Sequence, residues 1–239
     1  MTSTRTASVT AISDPFSAFS GLPVAVTDLS GQLGASVLLP GGTGGSYGFS
    51  VKKALTEGPT RLELGVKVAH DQGSVMGFGA TGGGAGADML ALQLGLSQSL
   101  GSTGFLSLSG EVGIANLGTQ AALTHVSTAG FNSVALDIGS REVFATGDRL
   151  AFGVSMPVAV TSGHAQIVLP VARSALSKSF EAIELNLAPS DREVDMRISY
   201  QRPLSPGVEM LVELVHAENF GNRAGAQDTA GVLTVKYAF

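Results

Sequence analysis

A chain of 239 residues, 44% apolar and only 14% charged, suits one large β-domain or two small ones. Its net charge of -5 argues against a nucleic-acid surface, and the absence of Cys excludes disulfides, thiolate nucleophiles and Cys-based zinc sites. No uncharged apolar run reaches the roughly 18 residues of a transmembrane helix, but membrane strands hide their hydrophobicity by alternation, so a mean hydropathy of +0.30 is compatible with them.

Residues 1–10 carry a single positive charge, Arg5, and no apolar core of the kind a secretory signal needs. An outer-membrane protein requires such a signal. Either the chain is the C-terminal piece of a longer exported protein, which is the expectation adopted, or the membrane reading is wrong. Residues 1–30 are rich in Ser, Thr and Ala and have no sustained period. Ser13-Asp14-Pro15 predicts a short helical turn through Phe19. This segment is expected to be a linker or pore segment, with residues 31–239 forming a β-domain.

From Gly31 onward the apolar residues recur every second position, the period of a strand with two unlike faces. Leu33, Ala35, Val37 and Leu39 share a face, as do Tyr47, Phe49 and Val51. Leu62, Leu64, Val66 and Val68 oppose Glu63 and Lys67. Leu90, Leu92, Leu94 and Leu96 oppose Gln93, and Leu106, Leu108, Val112 and Ile114 oppose Ser107, Ser109 and Glu111. Val134, Leu136 and Ile138 oppose Asp137; Phe152, Val154, Met156 and Val158 oppose Gly153 and Ser155. A shorter strand covers Ala165 to Val171, and Ile183, Leu185 and Leu187 oppose Glu184. Val194, Met196, Ile198 and Tyr200 oppose Asp195 and Arg197, and Val208, Met210, Val212 and Leu214 oppose Glu209 and Glu213. The last strand sets Leu233, Val235, Tyr237 and Phe239 against Thr234 and Lys236. This makes about twelve strands, each of roughly the 9–11 residues that cross a bilayer.

The connections differ in length by turns. Tight turns are expected at Leu100-Gly-Ser-Thr103, Ala145 to Arg149 and Leu204 to Gly207. Long Gly-rich loops are expected from His70 to Asp88, Asn116 to Asn132 and Ala217 to Asp228. Short turns at one end and long loops at the other point to an all-β, antiparallel up-and-down transmembrane β-barrel. Phe152, Tyr200, Tyr237 and Phe239 fall near the short-turn ends of their strands, half of an aromatic girdle.

The second face carries Glu63, Lys67, Glu111, Asp137, Glu184, Asp195, Arg197, Glu209, Glu213 and Lys236 among Gly, Ser and Ala. A dry core would not accept so many charges, so these residues are expected to line a hydrated lumen. The competing reading is a soluble β-sandwich whose polar face is its solvated outside. It expects Leu92 and Leu94 to be buried under a second sheet.

Other motifs lack their context. Gly77 to Gly82 matches G-x-G-x-x-G, but a strand follows where a dinucleotide site needs a helix. Gly83 to Ala91 matches a single calcium β-roll repeat, which needs stacked neighbours. His70, His125, His164 and His216 have no metal-ligand spacing. Glu209 and Glu213 stand about 13 Å apart along a strand, too far for a glycosidase pair. No cofactor and no catalytic residue are expected.

Three phrases carry a resemblance: Asp148 to Val160 (DRLAFGVSMPVAV), Leu187 to Asp195 (LAPSDREVD), and His216 through Asn219-Phe-Gly221 to Phe239. Together they resemble the C-terminal barrel of bacterial autotransporters, more narrowly the tail that follows subtilisin-like (subtilase) peptidase domains. The resemblance implies a type V secretion translocator in the outer membrane: a twelve-stranded barrel, a segment in its pore and an N-terminal passenger upstream. The implied partners are outer-membrane lipid and the barrel-assembly machinery, which would read Leu233, Val235, Tyr237 and Phe239 as its signal. The subtilase motifs H-G-T and G-T-S-M-A are missing, so protease activity is not implied for this chain. A free-standing, porin-like outer-membrane channel and a soluble β-rich binding domain are the alternative readings.

Overall fold

The computed structural model describes residues 22–26, 33–40, 46–56, 58–72, 74–75, 78–79, 86–118, 123–173 and 178–237. Their strands, in chain order, are β1 (Leu22–Val26), β2 (Leu33–Leu39), β3 (Tyr47–Ala54), β4 (Thr60–Gln72), β5 (Ser74–Val75), β6 (Phe78–Gly79), β7 (Gly86–Leu100) and β8 (Gly104–Leu117). They continue with β9 (Leu123–Thr124), β10 (Ala129–Arg141), β11 (Arg149–Ser162), β12 (His164–Arg173), β13 (Lys178–Asn186), β14 (Val194–Ser205), β15 (Val208–Glu218) and β16 (Gln227–Tyr237). A single 3-10 turn, Phe220–Asn222, is the one helical element among the described residues.

Eleven strands form one antiparallel sheet in the order β1-β2-β3-β4-β7-β8-β10-β11-β14-β15-β16. Among the described residues this sheet is open, with β1 and β16 at its edges. Ten of its strands are those expected from the alternation. The other, β1, lies inside the segment expected to be a linker: Leu22 to Val26 pair with Leu39 to Ala35 of β2. Its five residues are continuously apolar with Pro23 among them, so no period of two announces a strand. An edge position tolerates the missing N–H of Pro23. The expected helical turn at Ser13 to Phe19 lies outside the described residues.

Two expected sheet strands are elsewhere. Ala165–Val171 and Ile183–Leu187 fall largely on β12 and β13, which pair with each other, with β9 on the far side of β12, in a separate three-stranded sheet. The reason lies at the end of β11. The segment before β14 is bolted to β10 and β11 by Arg192, whose guanidinium donates to Asn132 Oδ1 at 2.5 Å and to the Pro157 carbonyl at 2.9 Å. β14 is thereby delivered to the free edge of β11, where Arg149 to Ser155 pair with Gln201 to Asp195. Along Arg149 to Ser155 that edge is thus occupied.

The main sheet has two unlike faces. On one, Leu64, Val66, Val68, Leu90, Leu92, Leu94, Val112, Ile114, Val134, Leu136, Ile138 and Ile198 are exposed. On the other, Glu63, Lys67, Ala69, Asp71, Ala91, Gln93, Phe105, Ser107, Ala115, Phe131 and Ala151 are buried. No second sheet covers either face among the described residues. A single layer buries one face in this way only by curling toward it. Inner side chains accordingly reach past a neighbour to the second strand away, across roughly 10 Å of sheet: Ser50 of β3 meets Gln93 of β7, Lys67 of β4 meets Glu111 of β8, and Arg197 of β14 meets Asp137 of β10. Glycine makes room where the inner residue is large. Phe131 lies over Gly113 and Phe105 over Gly139, in space that a Cβ would occupy. The apolar inner cluster is small, with Leu38, Ala69, Met89, Ala91, Ala115 and Phe131 near the long-loop end.

Candidate functional site

The polar inner face is the feature that a function could use. Its residues come from alternate positions of β3, β4, β7, β8, β10, β11, β14 and β15, so the period of two that exposes Leu64 and Val66 turns Glu63, Gly65 and Lys67 inward. Three polar groupings follow one another around the curve.

The first is built on β3, β4, β7 and β8. Lys67 Nζ donates to Glu111 Oε1 at 2.6 Å, Gln93 donates to Glu111 Oε2 at 2.9 Å, and Ser50 donates to Gln93 Oε1 at 3.1 Å. Arg61 Nε donates to the buried Glu63 at 2.7 Å, and Ser46 donates to the buried Asp71. The second is built on β10, β14 and β15, where Arg197 bridges Asp137 at 2.6 Å and Glu213 at 3.4 Å. These pairs satisfy part of the charge that the alternation turns inward; Asp195 Oδ1 and Arg149 Nε are buried without a hydrogen-bond partner, an arrangement that is costly.

The third lies at the short-turn end. A cavity of about 610 Å³ opens there, lined by Arg61, Ser97, Phe105, Arg141, Arg149 and Gln201 among others. Its walls come from β4 at one side and from β14 and β15 at the other, so the curl of the sheet gathers distant strands around one space. Its rim is shaped by the connection between β10 and β11. Asp148, buried, accepts the backbone N–H groups of Val143, Phe144 and Ala145 at 2.7, 2.9 and 2.8 Å and the Tyr200 hydroxyl at 2.9 Å. Burial pushes the carboxyl of Asp148 upward, but these four donors outweigh it and hold the group below its ordinary value. The tight turn expected here is thus tied by one carboxylate. Thr146-Gly147-Asp148 was a visible turn signal; the four-donor arrangement depends on Tyr200, 52 residues away.

Of the residues expected to line a lumen, Glu63, Lys67, Glu111, Asp137, Asp195, Arg197, Glu209 and Glu213 share this inner face through the strand registers. Glu184 does not. It sits on β13, outside the main sheet, with its side chain 71% exposed and His164 at 3.7 Å. Lys236 occupies an inner register position opposite Glu209. Leu233 and Val235 are exposed on the apolar side, and Tyr237 closes β16. Phe239 lies outside the described residues, as do most of the Gly77–Gly82 motif and the start of the Gly83–Ala91 motif. Among the described residues no group of three or more His, Asp or Glu could hold a metal ion.

The alternation did not single out Arg141 and Arg149 as inner-face residues, because each stands at the boundary of a turn. It did place Tyr47 and Phe49 on one apolar face, but not as aromatics marking the other end of the strands. Tyr47 and Phe49 are exposed on the apolar face near the β2–β3 connection, and Tyr47 stacks on His70 with ring centroids 4.9 Å apart. Comparison of the chain with family models, with curated proteins and with solved structures returns no match.

Proposed function

We propose that this chain is the outer-membrane β-barrel of an autotransporter, a translocator and anchor that carries or tethers an N-terminal passenger across the membrane. The observation that carries the membrane reading is the inversion of the two faces. The sheet exposes Leu, Val and Ile over strand after strand and buries Glu63, Lys67, Asp71 and Gln93. Lipid outside and water inside is the environment that matches this order. In water, so large an open apolar face far exceeds the patches that soluble monomers leave uncovered. The soluble sandwich required Leu92 and Leu94 to be covered, whereas they are 61% and 47% exposed.

Two further observations support a barrel. Tyr47 and Phe49 stand toward the long-loop end of the apolar face, and Phe152 and Tyr200 toward the short-turn end, as two interfacial girdles would. Strand parity also favours closure between β2 and β16, a seam that requires β1 to leave the edge of β2 on which it lies. Every neighbouring pair in the main sheet is antiparallel, so β16 runs parallel to β1 and antiparallel to β2. Leaving β1 aside gives an even number of strands, ten of the eleven, and an antiparallel seam, in keeping with bacterial outer-membrane barrels. The proposed barrel is therefore ten-stranded, with β12 and β13 as a projecting hairpin on the long-loop side.

The autotransporter assignment within this class rests on the resemblance of the three phrases quoted above. It brings with it outer-membrane lipid, the assembly machinery and an upstream passenger, of subtilase type in the nearest resemblance, as partners. The inner cavity of about 610 Å³ favours a second reading, a small channel. Heat-modifiable migration tests the barrel: the folded protein should run faster unboiled than boiled, and a detergent-free soluble monomer would refute it. A Trp placed at Leu94 should be quenched by brominated lipid. Steady conductance in planar bilayers without any upstream segment would favour the channel over the translocator.

A further inference from the structure

Arg141 ends β10, Arg149 begins β11, and the two are direct partners across the strand pair. Like charges placed directly opposite repel. Both guanidinium groups lean on one ring, that of the buried Phe105, with their carbon atoms 5.7 and 4.1 Å from its centroid. The ring face attracts cations, but it carries no countercharge.

The carboxylates nearby are committed to other donors. Asp148 is taken by three N–H groups and Tyr200, Glu63 by Arg61, Asp137 by Arg197, and Glu209 by the Gln201 amide. Glu142 stands exposed at the rim. Among the described residues no carboxylate oxygen lies within salt-bridge distance of Arg141 or Arg149, and the buried Arg149 Nε has no hydrogen-bond partner. A buried guanidinium N–H without an acceptor is costly. Both arginines line the cavity of about 610 Å³.

We infer that this cavity is a binding site for a small anion bearing a phosphate or carboxylate group, held between Arg141 and Arg149. Asp137 attracts Arg149 only from beyond salt-bridge distance while bridged to Arg197; the anion would add an acceptor for Arg149 Nε, a countercharge in contact with the opposed pair, and oxygens spaced for the forked donors of guanidinium. Asp148 fixes the turn joining the two arginines, which keeps them opposed. The site does not depend on membrane crossing, so its test is separate from that of the barrel.

Isothermal titration of the folded chain with inorganic phosphate and with succinate is the experiment. Saturable binding of either is expected, weakened at least tenfold in R141Q and in R149Q and unchanged in R223Q, which alters an exposed loop arginine at the other end of the strands. On the unaltered chain, labelling of arginine by a dicarbonyl reagent, read by mass spectrometry, should be suppressed by the bound anion at Arg141 and Arg149 but not at Arg223. No saturable binding of either anion, binding retained in R141Q/R149Q, or labelling at Arg141 and Arg149 that ignores the anion would overturn the site. Heat-modifiable migration of the same samples reports on the barrel independently.

Discussion

The main sheet and the β12–β13 hairpin are written in nearly the same sequence style and end in different circumstances. Both consist of antiparallel strands of comparable length, and β13 alternates from Ile183 to Asn186 as the main-sheet strands do, although β12 is apolar without a break from Ile167 to Ala172. In the main sheet much of the polar face is buried, and the pairs Arg61–Glu63, Lys67–Glu111 and Arg197–Asp137 close at 2.6 to 2.7 Å. In the hairpin both faces are open: Leu169, Val171, Phe180 and Ile183 are exposed, and the ion pair His164–Glu184 spans 3.7 Å between side chains 64% and 71% exposed. Alternation decides which residues share a face. It does not decide whether that face meets anything. Where the hairpin departs, Arg192 ties the segment before β14 to β10 and β11, and β14 takes the edge of β11 from Arg149 to Ser155.

The largest contrast is expected between buried and exposed charge. Removing the cation of the Lys67–Glu111 pair by Lys67→Met should destabilise the folded protein by about 3–5 kcal/mol, since it strands a carboxylate on the inner face. Glu184→Gln in the hairpin should change stability by less than about 0.5 kcal/mol. Urea unfolding in detergent measures both. Equal effects would mean that the inner face is as wet as the hairpin. The double variant K67M/E111Q should recover much of the loss.

The outer face gives the next contrast. Leu94→Arg should lower stability in lipid vesicles by about 2–4 kcal/mol if it faces the bilayer midplane, whereas Ile183→Arg on the hairpin should be close to neutral. The folded fraction on unboiled gels reads the difference. If Leu94→Arg is also neutral, the apolar face does not meet lipid.

Packing on the inner face is testable at Gly139. A side chain there would occupy the space of the Phe105 ring, so Gly139→Val should cost about 1–3 kcal/mol through overpacking. The added variant Phe105→Ala relieves the ring contact but not that with the Leu150 carbonyl, so the two substitutions together should cost less than the sum of their separate effects without returning to the parent stability. Its hairpin counterpart, Ala182→Val at an exposed position, should have no measurable effect.

The smallest effect concerns acid. The carboxyl of Asp148 titrates below its unfolded value of about 3.8, so its stabilising contribution is complete above that value and is lost as pH falls through the lower, folded one. Asp148→Asn should therefore be less stable at neutral pH and should show a shallower fall in stability below about pH 4. A thermal-midpoint series across acid pH measures the slope.

Much of the architecture was legible in the sequence because a strand imposes its period on every side chain it carries. Leu62 to Val68 against Glu63 and Lys67 needed no tertiary information to be placed on opposite faces. The short turns at Leu100 to Thr103 and Leu204 to Gly207 were likewise local, since Gly101 and Gly207 adopt the positive φ that glycine permits. Neighbour choice was not local. The neighbour of β11 is β14 rather than β12, and the segment before β14 is held by a hydrogen bond between residues 60 apart, Arg192 and Asn132. That β1 joins β2 depends on a free edge elsewhere in the fold. The convergence of Arg141 and Arg149 on Phe105 requires the turn that Asp148 and Tyr200 tie together. The chain by itself determined faces, turns and the all-β class, because these follow from backbone geometry within a few residues. Only the tertiary structure decided which strands pair, which charges meet and where the inner face opens into a cavity, because those depend on strand edges competing for partners across the whole chain.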